Sequence, residues 1–135
     1  MLIERFEDLV AWQRARGVAR RVWQLTQEDP LRHDRVLSEQ LYRAAVSAMT
    51  NLAEGFDRGN PGDFHRFASI AKGSCGEAVS LLYLAVDVGL VTRTTFLSLT
   101  DDLNHVRRLC GGLCAASSRR RNELRESTRK RNRPE

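Results

Sequence analysis

The side chains best suited to chemistry are the arginines near the C-terminal end. Residues 119–135 hold eight basic and three acidic side chains, a net charge of +5 that equals the net charge of the whole 135-residue chain. The eight are Arg119, Arg120, Arg121, Arg125, Arg129, Lys130, Arg131 and Arg133. Guanidinium groups pair with phosphate oxygens, and each contact with a polyanion releases counterions. This segment therefore predicts binding to the phosphate backbone of nucleic acid.

A simpler interpretation of the segment remains open. Leu124 is its single apolar residue, so it cannot bury a face, and beyond its first turns we expect it to be mobile. Its charge alone fits equally well a solubilising tail that continues the last helix. We accordingly divide the chain into a body of residues 1–118 and a basic, flexible tail of residues 119–135, with the body electrically neutral.

A second polar set lies in the middle of the chain. Arg43, Ser47, Asn51 and Glu54 are spaced four, four and three apart, so they line one side of a helix beside its apolar stripe. Glu77, on the next segment, is at a suitable height for an ion pair with Arg43 if the two helices are antiparallel. The stripe is interpreted either as a solvated flank or boundary network that fixes helix register, or as an interface facing a subunit or ligand.

Catalytic and metal chemistry are not expected. Nothing supplies a nucleophile, a general base and an orienting group together, so no catalytic residue is assigned and the protein is not predicted to be an enzyme. Cys110 and Cys114 lie one turn apart with His105 upstream, but the usual zinc spacings are absent, and both are interpreted as core thiols. We predict no metal and no cofactor.

The composition also limits the location. The three cysteines lack a close CxxC pair, and the N-terminus lacks a basic segment followed by an apolar stretch, which favours a reduced, cytoplasmic protein. No run of about 18 apolar residues is present, so no membrane partner is predicted.

Four segments with helical periodicity must position these residues. The apolar residues of the third step by three and four from Phe64 to Val88, and those of the fourth do the same from Phe96 to Leu113. Starts are predicted near Asp8, Asp34, Asn60 and Thr92 or Thr94, and Gly89 is placed to end helix three in the left-handed conformation. Short connectors force antiparallel neighbours, so the chain predicts an all-α, up-down-up-down four-helix bundle.

Helix three also carries glycines at an unusual spacing. Gly73 and Gly76 lie three residues apart, and a glycine inside a helix costs up to about 1 kcal/mol relative to alanine. Their presence suggests that another backbone approaches closely, from another helix of the bundle or from a neighbouring subunit.

Several of these motifs together resemble a known family. The stretches Phe6-Glu7-Asp8-Leu9, Trp12-Gln13-Arg14-Ala15, Arg43-Ala44-Ala45-Val46-Ser47, Asn51-Leu52-Ala53-Glu54-Gly55, Gly73-Ser74 with Glu77, and Asp87-Val88-Gly89-Leu90-Val91 carry the resemblance. They are similar to the "four helix bundle protein" family, first noticed as products encoded in intervening sequences of bacterial 23S rRNA genes and often labelled ribosomal-protein-like. The resemblance covers roughly residues 6–91.

The resemblance implies a non-enzymatic homo-oligomer, commonly a five-fold ring of bundles. More distantly the chain is similar to the accessory variability determinant of diversity-generating retroelements, a basic pentameric bundle that binds nucleic acid and a reverse transcriptase. The motif residues are treated as structural or interface positions: Arg43, Ser47, Asn51, Glu54, Gly55, Gly73, Ser74 and Glu77. The leading hypothesis is an oligomeric RNA-binding protein, and the alternative is a protein-interaction adaptor for a reverse transcriptase and its RNA.

Overall fold

A computed structural model describes residues 2–134. Met1, at the start of the predicted body, and Glu135, at the end of the predicted tail, lie outside the described residues. Two short 3-10 helices, Phe6–Asp8 and Leu31–His33, accompany four long helices. The long helices are α1 (Val10–Thr26), α2 (Arg35–Asp57), α3 (Pro61–Asp87) and α4 (Arg93–Arg131). No strand occurs within residues 2–134. The predicted all-α four-helix bundle is confirmed.

The starts of the last three long helices are fixed by side-chain caps. Asp34 Oδ1 accepts a hydrogen bond from the Leu37 amide at 3.0 Å, and Asn60 Oδ1 accepts one from the Asp63 amide at 2.8 Å. At the start of α4, Thr92 Oγ1 accepts a hydrogen bond from the Thr95 amide. Each oxygen satisfies an amide that has no partner inside its helix. The starts predicted near Asp34 and Asn60 are therefore confirmed, and of the two alternatives Thr92 and Thr94 the structure has Thr92 as the cap.

The start of α1 differs from the sequence prediction. Asp8 lies in the 3-10 helix Phe6–Asp8, and α1 begins at Val10 after Leu9, whose side chain offers no cap. Leu9 is buried, and its backbone amide bonds to the Phe6 carbonyl at 2.9 Å. Burial of Leu9 thus determines where the helix begins, in place of a capping carboxylate.

Each long helix packs antiparallel against its neighbours in the order α1, α2, α3, α4 and back to α1. The Ser47–Ser74 hydrogen bond and the contact of Gly55 with Phe67 set the register of α2 against α3. Arg21 forms an ion pair with Asp102 between α1 and α4. The core between the helices consists mainly of leucine, alanine and valine side chains, with Leu41, Leu52, Leu82 and Val22 fully buried.

The apolar seam of α3 departs from its predicted course toward the C-terminal end. Ala71, Ala78 and Ala85 are buried as predicted, but Leu82 is fully buried in place of Leu81, and Val88 is 58% exposed. A strict seven-residue repeat drifts by about 20° per heptad around a straight α-helix, so its last members rotate away from the core. Gly89, with φ of +77°, ends the helix in the left-handed conformation as predicted.

The largest difference from the sequence prediction concerns α4. The predicted boundary at Ser118 does not coincide with the end of a helix, because α4 continues without interruption to Arg131. Arg129, Lys130 and Arg131 lie in its last turn, where cations stabilise the negative end of the helix dipole. The helical geometry thus matches the alternative in which the tail continues the last helix, and its mobility in solution stays a prediction.

None of the helices within residues 2–134 is long and apolar enough to cross a membrane.

Candidate nucleic-acid interface

The eight predicted phosphate-binding side chains lie along the last third of α4 and just beyond it. α4 has 39 residues and α3 has 27. The two helices are level at Gly62 and Arg121, where Arg121 Cδ lies 3.8 Å from the position that a Cβ would occupy on Gly62. Residues 122–131 therefore extend past the start of α3, by about 15 Å at 1.5 Å per residue. We call this segment the overhang.

The basic side chains of this region are solvent-accessible. Seven of the eight belong to exposed residues, and Arg121 is half-buried. The ion pairs within residues 2–134 involve none of the eight, although Glu123 and Glu126 lie on the same helix. Guanidinium groups without carboxylate partners keep their full capacity for bidentate pairing with phosphate.

A groove runs between the overhang and the turn that joins α2 to α3. Its volume is about 700 Å³, and it is lined by Asn60, Pro61, Gly62, Arg121, Leu124, Arg125, Thr128 and Arg129. Sequence reasoning identified its arginines but not the groove itself. Leu124 and Thr128 continue the spacing of Val106, Cys110, Leu113 and Ser117, and this periodicity is the signal that could have identified a helix running beyond Ser118.

Arg121 occupies the inner end of this groove. Its Nε is buried and has no hydrogen-bond partner among the residues that the structure describes. A buried donor that lacks an acceptor costs about 1–3 kcal/mol, and more when the group is charged. The side chain also lies at the positive end of the α3 dipole, where a cation is disfavoured. An anion placed in the groove would relieve both costs.

The polar stripe of α2 meets α3 through hydroxyl and amide groups. Ser47 Oγ and Ser74 Oγ lie 2.8 Å apart, and Asn51 Nδ2 donates to the Ser47 carbonyl at 2.8 Å and to Ser47 Oγ at 3.0 Å. Three of the predicted motif residues therefore form one network between the two helices. This arrangement matches the interpretation of the stripe as a boundary network that fixes register.

The charged members of the stripe behave differently. Arg58 Nη2 donates to Glu54 Oε1 at 2.9 Å, within α2. Arg43 and Glu77 are both exposed, and no ion pair joins them in the part of the chain that the structure describes. Arg43 lies one turn before Ser47 on α2, and Glu77 lies one turn after Ser74 on α3. The Ser47–Ser74 contact therefore places the two charged residues at similar heights, as predicted. The expected ion pair itself is not formed, because both side chains extend into solvent.

The motif glycines Gly55 and Gly73 have different surroundings. Gly55 is buried, and a Cβ at this position would lie 2.6 Å from Phe67 Cβ, so only glycine lets α2 and α3 approach this closely. Gly73 is exposed, and nothing described lies within 4 Å of a Cβ built on it. Gly76 is covered by the Arg107 guanidinium at 3.6 Å. The close approach predicted for the Gly73–Gly76 pair is thus absent within the described chain.

Gly73 belongs to an exposed face of α3 that contains apolar side chains. Ile70, Leu84 and Val88 follow the same helical spacing and are 45%, 52% and 58% exposed. Within one chain, these side chains contribute little to the core.

The cysteines and histidines form no cluster of metal ligands within residues 2–134. Cys75 and Cys110 are fully buried and Cys114 is half-buried, so Cys110 is a core thiol as predicted and Cys114 is one only in part. The hydrogen bond with Cys75, and then burial, raise the pKa of the Cys110 thiol, which therefore stays protonated.

His65, in the first turn of α3, lies in a polar environment. Its Nδ1 lies 3.0 Å from the Cys114 carbonyl oxygen and 3.0 Å from Ser118 Oγ. These contacts join the first turn of α3 to α4 just before the overhang. They help to hold the two helices in register at the inner end of the groove.

Comparison with known proteins gives matches of two kinds, to a family model and to solved structures. Residues 7–112 match the family model described as 23S rRNA-intervening sequence protein. A crystal structure of a protein of unknown function from the S23 ribosomal protein family of Bacteroides thetaiotaomicron is similar in fold, with a TM-score of 0.72 and 22% identity, over 78% of this chain and 98% of the other. No curated protein matches the sequence. The basic overhang lies beyond the residues that the family model matches.

Proposed function

The chain belongs to the 23S rRNA-intervening sequence protein family, and from this premise we propose that it is a non-enzymatic, homo-oligomeric protein that binds RNA through the phosphate backbone. The observation that carries the proposal is the row of exposed basic side chains on the overhang, which have no carboxylate partner within the described residues. Because these contacts are to phosphate, the binding has little sequence preference.

The placement of the charge supports this function. The body of the chain is electrically neutral, and the whole excess of +5 belongs to residues 119–135. Helix α4 projects from one end of the bundle and carries these basic residues as far as Arg131, and the overhang itself holds four of the eight: Arg125, Arg129, Lys130 and Arg131. Aromatic side chains are absent from residues 119–135, so base stacking contributes nothing there, and phosphate contacts supply the affinity.

Homo-oligomer formation would multiply the affinity of a single overhang. Copies arranged in a ring, as the family resemblance implies for five subunits, would bring several basic rods to one rim and add avidity. The exposed face of α3 that holds Ile70, Leu84 and Val88 supports self-association, because at Gly73, one turn after Ile70, a second backbone could approach without a clash.

The test replaces the five basic residues that follow Asn122 by glutamine: Arg125, Arg129, Lys130, Arg131 and Arg133. Glutamine, arginine and lysine have similar helix propensities, so α4 remains helical. A control variant carries five exposed body arginines changed to glutamine, Arg14, Arg20, Arg35, Arg93 and Arg108, and has the same net charge. Affinity for a fluorescein-labelled single-stranded RNA is measured by anisotropy.

We expect the wild-type affinity to fall about 100-fold between 50 and 200 mM salt, as five phosphate contacts on a single strand predict. The overhang variant loses most of the binding, and the control variant keeps it. Equal losses in the two variants would show that net charge alone governs binding. Undetectable binding of wild-type protein at 50 mM salt would refute RNA binding.

A further inference from the structure

The groove beside the overhang has features that a flexible basic tail would lack. We propose that it is a binding channel for one phosphodiester strand, in which Arg121, Arg125 and Arg129 contact successive phosphates. The inference rests on the proposed function and adds the site at which the strand lies. It assigns different roles to basic residues that the sequence alone treats as equivalent.

The spacing of the three arginines carries the first step. They are four residues apart on one helix, so their positions advance by about 6 Å per step and turn by about 40°. Such a row faces one side of the overhang and follows a single strand. Leu124 and Thr128, which line the same groove, lie between them on this side.

The distribution of acidic side chains gives the second step. Neither Glu123 nor Glu126 lines the groove. Glu123 lies about 120° or more around the helix from each of the three arginines, whereas Glu126 lies about 60° from Arg129, one turn before it. The three arginines therefore face a cavity of about 700 Å³ that is lined by no carboxylate. Asp63, the nearest acid of α3, accepts hydrogen bonds from Asn60 Nδ2 at 2.9 Å and is held outside the groove lining.

Arg121 supplies the third step. Its buried Nε is the one side-chain nitrogen or oxygen that is both buried and without a hydrogen-bond partner within residues 2–134. Among the described residues, Arg121 thus has an unpaired donor where α4 packs against Gly62 of α3, beside the groove. A phosphate oxygen entering there meets this guanidinium close to the amide of Gly62, at the positive end of α3, where the amides of Asp63 and Phe64 already bond to Asn60.

Leu124 indicates which part of the nucleic-acid strand, besides its phosphates, would contact the groove. It is 49% exposed and lines the groove between two arginines. An apolar side chain at this position suits the face of a ribose or base without reading its edge. The channel therefore accepts single strands of any sequence. In a duplex the base faces are stacked on one another and closed to Leu124, so a duplex makes the phosphate contacts without this apolar contact and binds more weakly.

The experiment compares two variants that remove the same charge. One replaces Arg121, Arg125 and Arg129 by glutamine, and the control replaces Arg119, Lys130 and Arg133, which do not line the groove. The probe is a labelled 12-nucleotide oligouridylate, with the single-stranded DNA of matching sequence and an RNA duplex as further arms. Circular dichroism confirms the helix content of each variant.

We expect the groove variant to lose at least tenfold more affinity than the control and to lower the salt slope by about 2, as the loss of three single-strand contacts predicts. Single-stranded DNA behaves like the RNA, and the duplex binds more weakly than either. A second comparison leaves the half-buried Arg121 in place, so that packing is not disturbed. It sets a double variant with Arg125→Gln and Arg129→Gln against a double variant with Lys130→Gln and Arg133→Gln.

The outcomes separate the channel from the proposed function. Equal losses in groove and control variants would overturn the channel and leave RNA binding by diffuse attraction intact. A duplex that binds as tightly as the single strand would also overturn it. Full binding by both triple variants and by the five-residue overhang variant would refute the proposed function itself.

Discussion

At the scale of single residues, Gly55 is the glycine whose added Cβ would meet the closest neighbours among the described residues. A Cβ on Gly55 would lie 2.6 Å from Phe67 Cβ and 3.2 Å from Phe64 Cδ2. Real Cβ atoms do not approach other atoms this closely, so α2 and α3 must separate to admit even a methyl group. Overpacking of this kind costs about 1–3 kcal/mol, and the better helix propensity of alanine offsets no more than about 1 kcal/mol.

We therefore predict that Gly55→Ala lowers the free energy of unfolding, measured by urea denaturation. The matched control is Gly17→Ala, in an exposed position of α1 where nothing described lies within 4 Å of the added Cβ. There the substitution should raise the unfolding free energy by about 0.5–1 kcal/mol. Equal stability of Gly55→Ala and wild type would show that the α2–α3 contact is looser than the structure has it.

At the scale of elements, the sequence predicted most of the bundle because its signals are local. The capping oxygens of Asp34 and Asn60 act on amides three residues away, and Gly89 needs only its own backbone freedom. Buried alanines such as Ala71 and Ala78 follow from helical spacing. Each of these features depends on residues within about one turn, so one segment is enough to reveal it.

The length of α4 is marked in the sequence only by the spacing of Leu124 and Thr128, a weaker signal than a cap or an apolar stripe. Polar composition after Ser118 indicates that no core face continues, and an exposed helix without a packed face has the same composition as a coil. The groove depends on where α3 begins relative to Arg121, which is a property of two helices in contact. The network of Ser47, Ser74 and Asn51 was predicted in position, but its partners across the interface were not.

The overhang should be dispensable for folding. All residues from 122 to 134 are exposed, and none forms an ion pair with another described residue. A chain ending at Asn122 is therefore expected to unfold within about 3 °C of the wild-type midpoint, measured by thermal circular dichroism. Its helical signal is smaller by the contribution of the removed residues. A chain ending at Ser118 also loses Arg121 from its place against Gly62 and should unfold earlier. A large loss of stability on removal of residues 123–135 would mean that the overhang packs against something, such as another copy.

At the scale of the whole molecule, charge and apolar surface are separated. The basic groove lies at the end of the bundle that carries the α2–α3 turn, whereas the exposed apolar side chains Ile70, Leu84 and Val88 lie along the side of α3. One surface can therefore serve self-association while the other stays open to a polyanion. Self-association and polyanion binding would use different residues, so a substitution in one surface leaves the other surface unchanged.

This separation gives a last prediction, on Gly73. Gly73→Gln adds no clash within one chain, since nothing described lies within 4 Å of its Cβ, and glutamine is the better helix former. If copies associate through this face of α3, the added side chain blocks the approach, and the mass measured by light scattering should fall toward 15.3 kDa. Gly112→Gln on α4, equally exposed and open, is the matched control and should keep the wild-type mass. Unchanged mass in both variants would place the contact between copies elsewhere, and a wild-type mass of one subunit at all concentrations would refute homo-oligomer formation.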